Sequence, residues 1–192
     1  MNPFIRRISL IISLISIPVA IYFLNPFQVK VEDIRPRLTG YDIYRLPSRS
    51  MEPTLVPGDY ILVSHLAFQR QDPLRGDIVI FKLNHPKNPD HPTLYVKRVV
   101  ALANEKVKIH QGRLYINDKV LPEDYVKANN NQSPYSLEWS EKTVPPGNLF
   151  LLGDNRDHSN DSRLIGFIPQ SRVIGKAVKI LYGNHGRSGN QL

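Results

Sequence analysis

The sequence predicts an all-β domain preceded by one membrane-spanning helix. Three observations carry this. Ile8 to Leu24 is an uncharged, almost wholly apolar run. Beyond it the apolar spacing is short and strand-like, and no later stretch shows the 3.6-residue periodicity of a long amphipathic helix. The 192 residues suffice for one core, or for one core carrying a small inserted lobe.

The apolar run sits at the short end of what crosses about 30 Å of hydrocarbon at about 1.5 Å per residue. Arg6 and Arg7 precede it, so the N-terminus is expected in the cytoplasm. Everything after Asn25 is then on the trans side, whether periplasmic, extracellular or lumenal. A removable signal peptide would place small residues just beyond the run, whereas Tyr22-Phe23-Leu24-Asn25-Pro26-Phe27 is bulky there. A core helix would carry a polar face, which the run lacks apart from its serines. Residues 1–26 therefore read as a cytoplasmic stub and a single-pass, uncleaved anchor in a lipid bilayer.

Strands are expected at Tyr60–Val63, Asp77–Phe81, Leu94–Leu102, Val107–His110, Arg113–Ile116, Leu149–Leu152 and Val173–Leu181. Gln111-Gly112 and Asn117-Asp118 read as hairpin turns, which makes 105–121 a small meander. The main β-domain is assigned to 27–104 and 146–182, with 105–145 as an inserted lobe and loop. The proline-punctuated stretch Asn84–Thr93 and the polar stretch Pro122–Gly147 are expected to be exposed, mobile loops, and the glycine-rich tail 183–192 to fray.

Composition excludes several chemistries. With no cysteine there is no disulfide framework, thiolate nucleophile or iron–sulfur cluster. His158 has no partner histidine at ligand spacing, and His85 and His91 fall in the proline-rich loop, so no metal and no cofactor is expected. The net charge of +8 comes without a basic run interleaved with aromatics, so it reads as a solvated face and no nucleic acid partner is expected.

Three segments concentrate reactive side chains. Pro47-Ser48-Arg49-Ser50-Met51-Glu52-Pro53-Thr54-Leu55 is a stiff, irregular loop presenting two hydroxyls, as a nucleophile requires, although serine beside proline is commonly only a turn. In Leu94–Ala101 strand alternation puts Lys97 on the face of Tyr95 and Val99, and Arg98 on that of Val96 and Val100. A lysine so desolvated beside a like charge would favour its neutral form; the commoner alternative is a stem that snorkels to water. Gly153–Arg163 carries Asp154, Asp157, Asp161, Arg156 and Arg163 behind an apolar strand, which suggests a paired ionic network.

In this order, and together with Gly76-Asp77-Ile78-Val79-Ile80-Phe81, these segments resemble the boxes of the type I signal peptidase family, and the apolar N-terminal run agrees with that family's topology. The chain departs from the pattern at Ala103-Asn104-Glu105, where a Pro-Gly-Asp type turn is usual, and at His158, where asparagine is common. The resemblance implies a membrane-bound serine endopeptidase that removes signal peptides from exported preproteins. Ser50 is then the nucleophile and Lys97 the general base, with Ser48 Oγ and the Ser50 amide as oxyanion hole. Ser159 would orient the Lys97 amine, and the pairs Arg98–Asp154 and Asp161–Arg163 would be structural. It also implies small side chains at the first and third positions before the cut. Two alternatives stay open: a Ser–Lys protease with another target, and a membrane-tethered β-domain that only binds a partner.

Overall fold

The computed structural model describes residues 16–25, 34–85, 88–183 and 186–192. The first half of the expected span lies outside them. Residues 16–24 are helical (α1) and expose Ile17, Val19, Phe23 and Leu24. No helix among the described residues is long and apolar enough to cross a membrane.

After the short helix α2 (Ile34–Thr39) the chain is built of strands: β1 Tyr41–Arg45, β2 Tyr60–Ser64, β3 Ile78–His85, β4 Asn88–Ala101, β5 Lys106–His110, β6 Arg113–Ile116, β7 Lys119–Val120, β8 Trp139–Thr143, β9 Asn148–Leu152, β10 Ile168–Pro169 and β11 Val173–Tyr182. One antiparallel sheet has seven strands in the order β1-β2-β11-β3-β4-β9-β10, and a second has four in the order β7-β6-β5-β8. Two short α-helices, α3 (Pro134–Leu137) between β7 and β8 and α4 (Ser162–Ile165) between β9 and β10, lie in the connections within each sheet.

The large sheet is buried on both faces, which is why its central strands read as unbroken apolar runs. In β3, Ile78 and Ile80 join one core with Leu55, Ile61, Val63 and Ala177, whereas Val79 and Phe81 join Val99, Leu149, Leu151 and Val173 on the other side. In β9 the alternate residues Phe150 and Leu152 pack with Val107, Ile109 and Leu114 of the smaller sheet and with Val144 just beyond β8. The segment read as an inserted lobe therefore shares a core with the main sheet. Its hairpin turns take positive φ as two-residue connections of this kind demand, at 50° and 71° for Gln111-Gly112 and 49° and 65° for Asn117-Asp118.

Three strands or strand segments differ from the sequence expectation. β1 was not expected, because it buries Asp42 and exposes Tyr41 and Ile43, the reverse of an apolar alternation. β8 is an outer strand of the small sheet with almost no buried residue, so it carries charges and no apolar signal. The stretch 84–93 is largely strand: β3 and β4 pair as far as His85 and Asn88, beyond the last β11 partner at Phe81. Pro89 and Pro92 fall in the part of β4 before Arg98, which among the described residues pairs with no strand on its β9 side.

The stretches expected to be mobile are also tied down. Gln132 N and Ser133 N donate to the Asp157 carboxylate, and buried Ser136 donates to Arg156 O at 2.8 Å. The end of the tail, expected to fray, lies along β11: Ile180 N donates to Asn190 O at 2.9 Å, Leu192 N donates to Val178 O at 3.2 Å, and Leu192 packs on the first core.

Gly175 marks where β11 presses closest on β2. A Cβ there would stand 2.7 Å from Val63 Cγ1 and 2.9 Å from the Ser64 carbonyl oxygen. Gly175→Ala should therefore cost about 1–3 kcal/mol, seen as a lower urea midpoint at unchanged slope; an unchanged midpoint would contradict this packing.

Candidate active site

The loop between β1 and β2 closes on itself, with Leu46 N donating to Asp59 O and Gly58 N to Leu46 O, both at 2.8 Å. Within it Glu52 N donates to Arg49 O and Leu55 N to Met51 O, so Ser50 lies inside the first of two overlapping turns, 49–52 and 51–55. Met51 and Leu55 are buried in the first core and anchor the turns from below. Proline-stiffened backbone and two apolar pins leave Ser50 little freedom, and it is itself buried.

Lys97 lies in β4 opposite Val79, on the face that also carries Phe81, Tyr95 and Val99. The Phe81 and Tyr95 rings stack 5.5 Å apart, and Lys97 Nζ sits 5.9 Å from the Tyr95 ring centroid. The side chain does not snorkel: Lys97 is 4% exposed, with Nζ 2.8 Å from Ser50 Oγ and 2.9 Å from Val96 O. Burial drives its pKa down, the Asp161 and Asp154 carboxylates pull it back up, and Arg163 lowers it again, leaving it at about 8. The cation that helps is thus Arg163, not the sequence neighbour Arg98, whose charge is matched by Asp154.

The acidic segment leaves the sheet beside this pair because β9 ends at Leu152, directly opposite Arg98. Arg98 grips Asp154 through Nε at 2.9 Å and Nη2 at 2.7 Å, its guanidinium 4.0 Å from the Tyr125 ring centroid. Asp161 accepts Gly153 N at 3.0 Å and pairs with Arg163 at 2.9 Å. Asn155 N donates to Ser50 O at 3.1 Å, so this segment touches the nucleophile loop directly. Gly153 has to be glycine for that approach, since a Cβ would lie 2.4 Å from Ser50 O and 2.3 Å from Ser159 Oγ.

Ser48, Ser50 and Lys97 share one cavity of about 430 Å³, walled by Leu46, Met51, Leu94, Tyr95 and Val96, with exposed His158 and Asn160 also lining it. Ser48 Oγ accepts the Ser50 amide at 3.1 Å. Ser159 is buried a short way off, but the hydrogen bond expected from it to the Lys97 amine is not formed: its hydroxyl has no partner among the described residues, and the amine is engaged by Ser50 Oγ and Val96 O. Among the described residues no three histidine or carboxylate side chains converge in a way that could hold a metal ion.

Sequence reasoning gave no role to Thr54, whose hydroxyl donates to Asp154, and placed the fully buried Arg156 in an ionic network without its partner, Glu123 of the small-sheet side. A buried arginine leaves no local trace, because its partner is distant in sequence. The departure at Ala103-Asn104-Glu105 keeps the turn: Asn104 adopts φ 68°, and the Glu105 carboxylate accepts Leu102 N at 2.7 Å.

A family model described as signal peptidase, peptidase S26, matches residues 34–182. The chain is 37% identical over 136 residues to a signal peptidase I of Leptolyngbya laminosa, covering 69% of this chain and 64% of that protein. It is 32% identical over 195 residues to a signal peptidase I of Aquifex aeolicus, covering 72% and 75%. It is 36% identical over 139 residues to thylakoidal processing peptidase 1, chloroplastic, of Arabidopsis thaliana, covering 69% of this chain and 39% of that one. The chain thus spans less than two thirds of the Leptolyngbya and Arabidopsis relatives.

The Arg98 side chain is 12% exposed and Asp154 1%. Asp154→Asn would strand that guanidinium, so unfolding free energy should fall by about 3–5 kcal/mol; equal stability in urea would show the pair to be dispensable.

Proposed function

The chain belongs to the signal peptidase, peptidase S26, family, and on that premise we propose that it is a serine endopeptidase that removes N-terminal signal peptides from exported preproteins through a Ser50–Lys97 dyad. The observation that carries the reading is the buried Lys97 amine 2.8 Å from Ser50 Oγ, with a pKa of about 8. A serine hydroxyl attacks a peptide carbonyl only once a base takes its proton, and an ordinary amine near 10.4 is protonated at neutral pH. Depressed by burial, Lys97 supplies a useful neutral fraction.

In the resting ammonium form Nζ donates to Ser50 Oγ. Once neutral, it accepts the hydroxyl proton as Oγ bonds to the scissile carbonyl carbon. The Ser50 amide and Ser48 Oγ are beside each other at the cavity, and turned from one another toward a substrate they would bind the oxyanion, an effect worth roughly 3–4 kcal/mol. The ammonium returns its proton to the leaving amine. Water, deprotonated in turn by Lys97, then releases the acyl group from Ser50. These steps use no cofactor. Ser159 fits as a positioning residue, its unpaired buried hydroxyl available to the amine when the lysine moves during the cycle.

The edge of β4 at Leu94–Val96, unpaired among the described residues, borders the cavity and could take an extended peptide as an added strand. The family resemblance implies small side chains at the first and third positions before the cut. The exposed apolar side chains of α1, with Arg6 and Arg7 ahead of the run Ile8–Leu24, support a chain anchored in a membrane with its β-domain on the trans side.

The test is incubation of the detergent-solubilised protein with a preprotein and sequencing of the new N-terminus. Ser50→Ala and Lys97→Arg should each lower kcat/KM by at least about 1,000-fold, since guanidinium keeps the charge but stays protonated. Substrates with Phe at the first and third positions before the cut should be cut far more slowly than those with Ala. Cleavage by folded Lys97→Arg at the native rate would sink the dyad.

A further inference from the structure

The loop that presents Ser50 is held on one side by the acidic segment, through Asn155 N to Ser50 O and Thr54 Oγ1 to Asp154. Its other side is held from the tail. Arg187 Nη1 donates to Pro53 O at 2.8 Å, while Nη2 donates to Thr54 O at 2.7 Å and to Asp59 Oδ2 at 2.6 Å. Asp59 is 1% exposed, and the same oxygen accepts Val56 N at 2.9 Å. Asp59 also closes the loop through its carbonyl, which accepts Leu46 N. One guanidinium therefore joins the Pro53 and Thr54 carbonyls, inside the 51–55 turn that follows Ser50, to the residue that closes the whole loop.

The docking of the tail fits this task. Gly189 N donates to Ile180 O at 2.7 Å, and Lys179 and Gln191 form an antiparallel bridge, which folds 189–192 back along β11. At Gly183 a Cβ would stand 2.8 Å from Asp59 Oδ1 and 3.2 Å from Arg187 Cβ, so a bare backbone is needed where the chain passes the carboxylate. The family match ends at residue 182, so this arginine lies beyond the residues it covers.

We infer that Arg187 is a positioning residue for the nucleophile: by capping the carbonyls of Pro53 and Thr54 and pairing with Asp59, it fixes the turn that sets Ser50 Oγ against Lys97. A rigid fork suits this, because one planar group meets two carbonyls and a carboxylate at once, which an ammonium on a flexible stem does not. Misplacing a reacting group by about 1 Å can cost about 100-fold in rate. The kinetic consequence rests on the peptidase reading; the structural one does not.

The experiment compares the full chain with Arg187→Ala and Arg187→Lys, by preprotein cleavage and by hydrogen–deuterium exchange of peptides spanning 46–60. For Arg187→Ala the expected result is a kcat at least tenfold lower with KM within twofold, faster exchange at 50–56 but not in β4, and recovery of both by millimolar guanidinium chloride but not by sodium chloride. A kcat within twofold of the parent overturns the inference, and so does unchanged exchange. A lower melting temperature with native kcat below the melt shows a structural role only and overturns it too. If Arg187→Ala fails to fold, Arg187→Lys decides: at least a threefold loss of kcat supports the inference, and a smaller loss overturns it. Should the parent chain not cut the preprotein, the peptidase reading fails, and the exchange comparison still decides whether Arg187 holds the loop.

Discussion

Desolvation of a single amine is the constraint around which the site is organised. Lys97 carries its charge into a region lined by Tyr95, Val96 and Val99, and loses the water that would keep it protonated. Its pKa settles at about 8 against an ordinary 10.5. The folded state therefore releases this proton more readily than the unfolded chain. Burial of Lys97 costs stability below pH about 8, and the cost fades as pH rises toward 10.5 and the unfolded chain too gives up the proton. Stability is given up at neutral pH for a base that can work there.

That arrangement survives only if nearby carboxylates do not undo it. Asp154 and Asp161 both raise the Lys97 pKa, yet each is needed to hold the acidic segment against β4. The structure limits their pull by committing each to a partner: Asp154 to Arg98 and Thr54, Asp161 to Arg163 and the Gly153 amide. Topology does the rest. Antiparallel pairing of β9 with β4 ends at Leu152 opposite Arg98, so the segment leaves the sheet one residue from the base, and Asn155 reaches the Ser50 carbonyl without a long connection.

What could be read from the sequence follows from which signals are local. The central strands were legible because burial on both faces makes continuous apolar runs, and the meander because Gln111-Gly112 and Asn117-Asp118 suit left-handed turns. The face that Lys97 shares with Tyr95 and Val99 was legible through alternation within one strand, whereas its part as a base was implied only by the family resemblance. β1 was not, since it buries Asp42 and exposes Ile43, and β8 was not, since an outer strand needs no apolar face. The docked tail, Arg156 with Glu123, and Arg187 with Asp59 depend on partners far away in sequence, and composition around a polar segment describes only its immediate neighbours. Ser159 shows the converse: its neighbourhood was foreseen, but the amine bonds to Ser50 and Val96 instead.

The most direct test is a titration of the Lys97 side chain by NMR in protein labelled at lysine Cε, with the Lys97 signal assigned by its loss in Lys97→Met. The account predicts a midpoint at about 8, well apart from lysines exposed to solvent near 10.4. A Lys97 midpoint near 10.4 would mean that burial does not neutralise the amine, and would contradict its role as the base for Ser50.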